Sequence, residues 1–211
     1  MMKSFEIIIP CKRFSDGKSR LSTLLDPFRR EHLCRTLFSR TVQIALEATD
    51  PENVSVVSSD QDVLRLAAQF GVRAIEEDGV GLNEALHTAN NALLRLNRGP
   101  RTLVTLPIDL PYLRANDLQN VVARTQELGI VPDMSRTGTN ILALSPDVRR
   151  IFQFMFGQNS CQQHLRFAEL RGIPTEIFHH SDLAFDLDLP EDFKALSKKG
   201  HETAFNLRRT A

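Results

Sequence analysis

The chain has 211 residues, 42% of them hydrophobic, and its 26 basic residues are balanced by 26 acidic ones. That length supports one domain with a full core, and a net charge of zero argues against a protein that holds nucleic acid or a membrane surface by bulk charge. Cys11, Cys34 and Cys161 are odd in number and widely spaced, which fits a reducing cytoplasm; no run is apolar for long enough to span a membrane, and the N-terminus reads straight into a strand rather than a signal peptide.

In chain order, residues 5–10 (FEIIIP) form a β-rich run closed by proline, the first strand. A polar loop dense in cations follows, residues 11–21. Between about 27 and 48, Leu33, Leu37, Ile44 and Ala48 recur at helical spacing. Residues 54–58 read as a second strand, 60–70 as a helix stopped by Gly71, and 72–75 as a third strand. Asp78-Gly79-Val80-Gly81 turns into a helix over 82–96, with Leu82, Leu86, Ala89, Leu93 and Leu96 on one stripe.

The apolar run beginning at Leu103 predicts a strand buried on both faces, ended by Pro107-Ile108-Asp109-Leu110-Pro111. A residue before proline is pushed out of the helical region, so Leu110 stays extended and Asp109 sits on a stiff turn. At the carboxyl end of such a strand a rigid carboxylate suits a metal or phosphate site, although a helix-capping role fits the same turn. Beyond it, 116–127 reads as a helix ended by Gly129, with short strands at 130–132 and 140–144 around the polar loop 133–139. Residues 146–154 and 160–170 read as helices, 175–178 as a strand, and 191–198 as a last helix, before a polar tail over 201–211. Alternating strands and helices give an α/β single domain over 1–200, with a mostly parallel mixed sheet flanked by helices.

Three clusters have the chemistry of a site. Lys12, Lys18 and Arg20 follow the first strand and suit phosphate oxygens, or else form a solvated basic turn; the glycine spacing of a P-loop is missing. In Phe185-Asp186-Leu187-Asp188-Leu189, alternation puts Asp186 and Asp188 on one face and the apolar residues on the other, towards a core. Paired carboxylates raise each other's pKa unless a cation sits between them, so together with Asp109 they point either to a hard divalent metal or to an exposed acidic face. Finally, Gly138 would let a ligand approach the backbone, Thr139 adds a hydroxyl, and Gly157 with Ser160 would open a helix whose free N–H groups could receive an anion. His87, His164, His179 and His180 show no zinc spacing and read as structural or surface residues, and no Ser-His-Asp or Cys-His pattern is legible.

The segments IIIPCKRFSDGKSRL (7–21), GLNEAL (81–86), LPIDLPYL (106–113), IVPDMSRTGTNILAL (130–144), FGQNSCQQH (156–164) and FDLDLPEDF (185–193) together resemble the 2-phospho-L-lactate guanylyltransferase family, in order and over nearly the whole chain. The resemblance implies the nucleotide-diphospho-sugar-transferase type of α/β fold, of GT-A-like Rossmann character. It implies transfer of GMP from GTP to a small phospho-acid, with pyrophosphate released, during biosynthesis of a deazaflavin redox coenzyme. The acceptor would be 2-phospho-L-lactate, phosphoenolpyruvate or 3-phospho-D-glycerate, and the product would pass to a downstream transferase acting on a deazaflavin. Carried over residue by residue, Asp109, Asp186 and Asp188 would bind Mg²⁺, with two ions expected. Lys18 and Arg20 would act on the triphosphate as catalytic cations, with Lys12 and Asn83 completing the GTP site. Thr139, Gly157 and Ser160 would hold the phospho-acid. Cys11 and the Ser135-Arg136 pair depart from the family's commoner residues. A homodimer fits the resemblance, with no nucleic-acid or membrane partner. The rival readings are a nucleotidyltransferase of the same fold for a molybdopterin or sugar-phosphate acceptor, and a non-catalytic nucleotide-binding regulator.

Overall fold

The computed structural model describes residues 5–198, so the expected tail at 201–211 lies outside the described residues. Seven strands make one sheet: β1 Phe5–Pro10, β2 Val54–Ser58, β3 Arg73–Glu76, β4 Thr102–Thr105, β5 Leu128–Pro132, β6 Thr139–Leu144 and β7 Thr175–Ile177. They lie in the order β3-β2-β1-β4-β6-β5-β7, and among these strands β6 alone runs antiparallel to its neighbours. The helices are α1 Pro27–Ala48, α2 Gln61–Gln69, α3 Leu82–Arg95, α4 Ala115–Arg124, the single turn α5 Val148–Ile151, α6 Ser160–Glu169, the single turn α7 Ser181–Ala184, and α8 Pro190–Lys198. The mixed α/β sheet expected from the sequence is therefore present.

Alternation along β1 divides the core. Phe5, Ile7 and Ile9 face one side, where Phe38 and Val42 of α1, Val63 of α2 and Val121 of α4 cover them. Ile8 faces the other, with Leu86 and Leu93 of α3 and Phe167 of α6. A third, smaller cluster joins Leu21, Leu33, Leu37, Leu187 and Leu196. It packs the basic loop, α1, the acidic segment and α8 onto one another, so the cations and the acids cannot be placed independently.

Several elements differ from the sequence reading, each for a local reason. Gly129 does not end a helix; it lies inside β5, where an added Cβ would stand 2.3 Å from Thr125 Oγ1 and 3.0 Å from Phe178 Cε2. The helix before it stops at Arg124, because Thr125 turns extended and its hydroxyl donates to the Val121 carbonyl at 2.8 Å. Of the long helix expected over 146–154 only α5 forms, and Phe152 is already extended. Phe152 and Phe154 instead pack edge to face at 5.6 Å, burying apolar surface that a helix would have pointed outward. Leu187 is buried as expected, whereas Leu189 is exposed.

Candidate active site

The carboxyl ends of β1 and β4 open onto a cleft of about 440 Å³, lined by Lys12, Lys18, Asp109 and Asp188 at one end and by Ser59, Glu77, Gly81, Leu82 and Ala85 at the other. This is where a parallel sheet leaves room for a ligand. Asp109 follows β4 on the proline-stiffened turn, and α1 clamps that turn from behind. Arg40 donates to the Leu110 and Leu113 carbonyls at 3.2 and 2.8 Å, and Thr41 Oγ1 donates to the Ile108 carbonyl at 3.3 Å. Asp109 is no helix cap; at the start of α4 it is Asp117 whose carboxylate accepts the Arg114 N–H at 2.9 Å.

Lys18 stands at the centre of the site. Its ammonium donates to Asp109 Oδ2 at 2.7 Å and lies 3.8 Å from Asp188 Oδ1. Burial alone would depress the ammonium pKa, but the charge and hydrogen bond of Asp109, helped by Asp188, more than reverse this and leave it raised. Lys18 holds a left-handed backbone, φ 52°, at the entry to the 3₁₀ turn Ser19–Thr23. A non-glycine residue there is locally strained, and the strain is held by the ion pair on one side and buried Leu21 on the other. Arg20 Nη1 donates to Asp188 Oδ2 at 2.6 Å, leaving most of its guanidinium in solvent. Lys12 is exposed on the cleft wall.

The acidic segment is docked by its backbone: the Leu187 N–H donates to the Asp109 carbonyl at 2.9 Å. Asp192 then accepts the N–H groups of Asp188 and Leu189 at 3.1 and 2.6 Å, starting α8 and fixing where Asp188 points. The carboxyl of Asp186 is pushed up to about 6, first by burial and next by the charge of Asp109. The acids expected to share a metal thus do share one electrostatic site, with Lys18 as the cation between Asp109 and Asp188.

Among the described residues, no three His, Cys, Asp or Glu side chains are grouped so as to hold a metal by themselves. Mg²⁺ usually takes only one or two carboxylates and completes its shell with substrate phosphates and water. A hard oxygen donor set that includes Asp186, whose charge burial and Asp109 disfavour until a cation arrives, fits an ion that comes with a nucleotide.

The second group of expected residues lies on the neighbouring wall. Because β6 is antiparallel, its first residue, Thr139, comes out at the end of the sheet where β4 finishes. Thr139 Oγ1 is 3.0 Å from Nδ1 of His164 on α6, and the Cys161 N–H donates to the Thr137 carbonyl at 3.0 Å. Thr139 is thereby brought to the helix that Ser160 begins, three residues after Gly157. Asn140 next to it donates to the Leu183 and Ala184 carbonyls at 2.9 and 3.1 Å, tying this wall to the chain leading into Asp186.

Three expectations need correction here. Gly138 is not needed for close approach of a ligand; an added Cβ would meet Asp133 Oδ2 at 2.7 Å, and that carboxylate organises the loop by accepting from Ser135 Oγ and the Thr137 N–H. The start of α6 is not a set of free N–H groups, since those of Ser160 and Cys161 already donate to the Gly157 and Thr137 carbonyls. Those of Gly157 and Gln158, just upstream, have no protein acceptor among the described residues. Gly157 has φ 131°, open to glycine but strained for a side chain. Asn83 does not present its amide to the cleft: it donates to the Phe156 carbonyl at 3.0 Å and accepts the Phe156 N–H at 2.8 Å, clasping α3 to the chain before Gly157.

Burial pushes the thiols of Cys11, Cys34 and Cys161 up, which disfavours the thiolate a cysteine nucleophile needs. Sequence reasoning missed Glu77, which lies after β3 with its carboxylate on the Gly79 N–H at 2.6 Å, and Asp192, legible only as a capping acid. No helix among the described residues is long and apolar enough to cross a membrane.

The chain matches the family model described as "Guanylyl transferase CofC like" over residues 5–208. It is 36% identical over 196 residues to a phosphoenolpyruvate guanylyltransferase of Sphaerobacter thermophilus, covering 92% of each chain. It is 31% identical over 198 residues to a 2-phospho-L-lactate guanylyltransferase of Methanothermobacter thermautotrophicus, covering 93% of this chain and 85% of that one. In structure it is similar to a protein from Desulfovibrio desulfuricans described as a nucleotide-diphospho-sugar transferase, with a TM-score of 0.70 at 14% identity, covering 98% and 94% of the two chains. The match over nearly the whole chain and the identity to curated guanylyltransferases settle the family: the chain belongs to the CofC-like guanylyl transferase family.

Proposed function

We propose that this guanylyltransferase moves GMP from GTP onto the phosphate of a small phospho-acid, releasing pyrophosphate, as a step in making a deazaflavin redox coenzyme. Phosphoenolpyruvate is the first acceptor to try, as in the name of the Sphaerobacter relative; 2-phospho-L-lactate and 3-phospho-D-glycerate are the others. The observation that carries this reading is the pairing of a charged nucleotide cleft with a second polar wall, Thr139 to Ser160, joined to it through Asn140 and Asn83. We place the reaction in the cytoplasm, in keeping with three free thiols.

A phosphate monoester is already an anionic nucleophile near neutral pH, so the reaction needs no general base. One acceptor oxygen attacks the α-phosphorus of GTP, the new P–O bond forms, and the bond to the β-phosphate breaks with its electron pair on pyrophosphate. The difficulty is bringing two anions together. Lys18 and Arg20 neutralise the triphosphate, while the turn after β4 fixes Asp109 against them. Their charge is already matched by Asp109 and Asp188, so the added charge of a triphosphate calls for more. Asp109, Asp186 and Asp188 would hold Mg²⁺, which supplies Lewis-acid neutralisation of phosphate oxygens. The backbone N–H groups of Gly157 and Gln158, with the Thr139 and Ser160 hydroxyls, take the acceptor.

At the far end of the cleft the purine would meet Leu82 and Ala85 on its faces and Glu77 on its edge. A carboxylate accepts from both the N1–H and the 2-amino group of guanine, whereas adenine presents a lone pair at N1. The reading is tested by pyrophosphate release with GTP and each phospho-acid in turn. Release with at least one of them supports it; none with any of the three, in the presence of Mg²⁺, refutes it.

A further inference from the structure

His164 is fully buried, yet both of its ring nitrogens are committed. The Met155 backbone N–H donates to Nε2 at 3.1 Å, and a backbone amide has no other role open to it. Nε2 must therefore carry the lone pair, which puts the ring proton on Nδ1. Nδ1 faces Thr139 Oγ1 at 3.0 Å, so the histidine donates and the threonine oxygen accepts. With its oxygen occupied in that way, the Thr139 hydroxyl has its own hydrogen left to give elsewhere, and Thr139 is half-buried at the end of the sheet where the site opens. The rings of Phe152 and Phe156, 5.4 and 5.2 Å away, hold the imidazole in place. Burial lowers its pKa to about 4, so the neutral tautomer persists at physiological pH.

We propose that His164 is a positioning residue: by donating from Nδ1 to the Thr139 oxygen it orients the hydroxyl so that its hydrogen is given to an anionic oxygen of the acceptor. This rests on the assignment of Thr139 to the phospho-acid site. A free hydroxyl rotor can spend its hydrogen on any nearby acceptor, whereas one anchored through a lone pair points its hydrogen outward, an arrangement that favours phosphate or carboxylate oxygens. The grip on the acceptor is therefore organised from the core, by a residue that need not touch the ligand.

The test uses the full-length enzyme with phosphoenolpyruvate and GTP. In His164→Phe the ring is kept and the donor is lost, so the acceptor KM should rise about tenfold while the GTP KM stays as it was. His164→Asn, which keeps an N–H near the place of Nδ1, should recover most of that loss. In a Thr139→Val background His164→Phe should add nothing, because the hydroxyl it orients is gone. Further loss of acceptor affinity in the double variant, or equal losses for both substrates, would show a packing role only and overturn the proposal. Should the variants fail to fold, ¹⁵N imidazole shifts of the wild-type chain decide the tautomer. A proton on Nδ1 supports the proposal and a proton on Nε2 overturns it. A Thr139→Val enzyme with unchanged acceptor KM would instead remove Thr139 from the site, a failure of the underlying reading distinct from these.

Discussion

Lys18 Nζ and Asp109 Oδ2, from loops that follow β1 and β4, meet at 2.7 Å in the centre of the cleft. Neutralising Asp109 takes from Lys18 its hydrogen-bonded counter-charge and leaves only the more distant Asp188, at 3.8 Å, where water is scarce. Asp109→Asn should abolish turnover and, in addition, lower stability by roughly 2–3 kcal/mol, below the figure for a fully buried pair because Asp109 is 26% exposed. Chemical denaturation of the metal-free protein measures this. It reverses the simple expectation that loss of any of the acids relieves repulsion, since Lys18 already supplies the relief at Asp109.

Asp186 is where that expectation holds. Its carboxyl is raised to about 6 and no side chain donates to it among the described residues. Asp186→Asn should leave the metal-free protein at pH 7.5 as stable as wild type or more so, while turnover is lost. A clear fall in its melting temperature would mean that Asp186 makes a favourable interaction.

Among the described residues Arg20 is held only by Asp188, and it is largely exposed. Arg20→Ala should therefore cost little stability, yet lower kcat/KM for GTP by roughly 10²-fold, as loss of charge stabilisation on a leaving pyrophosphate does. Initial rates at fixed acceptor test it, and an equal loss of acceptor affinity would place Arg20 at the other wall.

Glu77→Gln should change which purine is used. The wild-type enzyme should prefer GTP to ITP by about tenfold, since hypoxanthine lacks the 2-amino donor, and the variant should bring the two close to parity. Parallel kcat/KM measurements with the two nucleotides decide it; an unaltered ratio would take Glu77 off the base.

His164 also gives stability a pH dependence. Its pKa is lowered from 6.5 to about 4 by burial, so the unfolded chain takes up a proton first as pH falls. The stabilisation is complete above pH 6.5 and is lost progressively down to pH 4, with a ceiling of roughly 3 kcal/mol from a shift of this size. In His164→Phe that slope should be missing from the melting temperature between pH 6.5 and 4, relative to wild type.

Much of this architecture is legible in the sequence where one signal dominates. The apolar run of β1, the long period of α1 and the proline-flanked Asp109 each follow from local chemistry. Where two uses of a residue compete, the local pattern misleads. Gly129 looks like a helix stop until Phe178 and Thr125 are seen crowding it, and Gly138 looks like a ligand approach until the Asp133 carboxylate fills the space. Asn83 and His164 depend on partners 73 and 25 residues away, and no spacing rule announces them. The clustering of Lys18 with Asp109 and Asp188 is likewise a product of sheet order, visible only once β1 and β4 lie side by side.

The most direct measurement follows the phosphorus atoms. With GTP labelled at the α-phosphorus, Mg²⁺ and phosphoenolpyruvate, the label should appear in a new phosphoanhydride joined to the acceptor phosphate, and label placed at the γ-position should leave entirely as pyrophosphate. Appearance of γ-label as free orthophosphate, or α-label in the acceptor-free nucleotide alone, would contradict guanylyl transfer at this site.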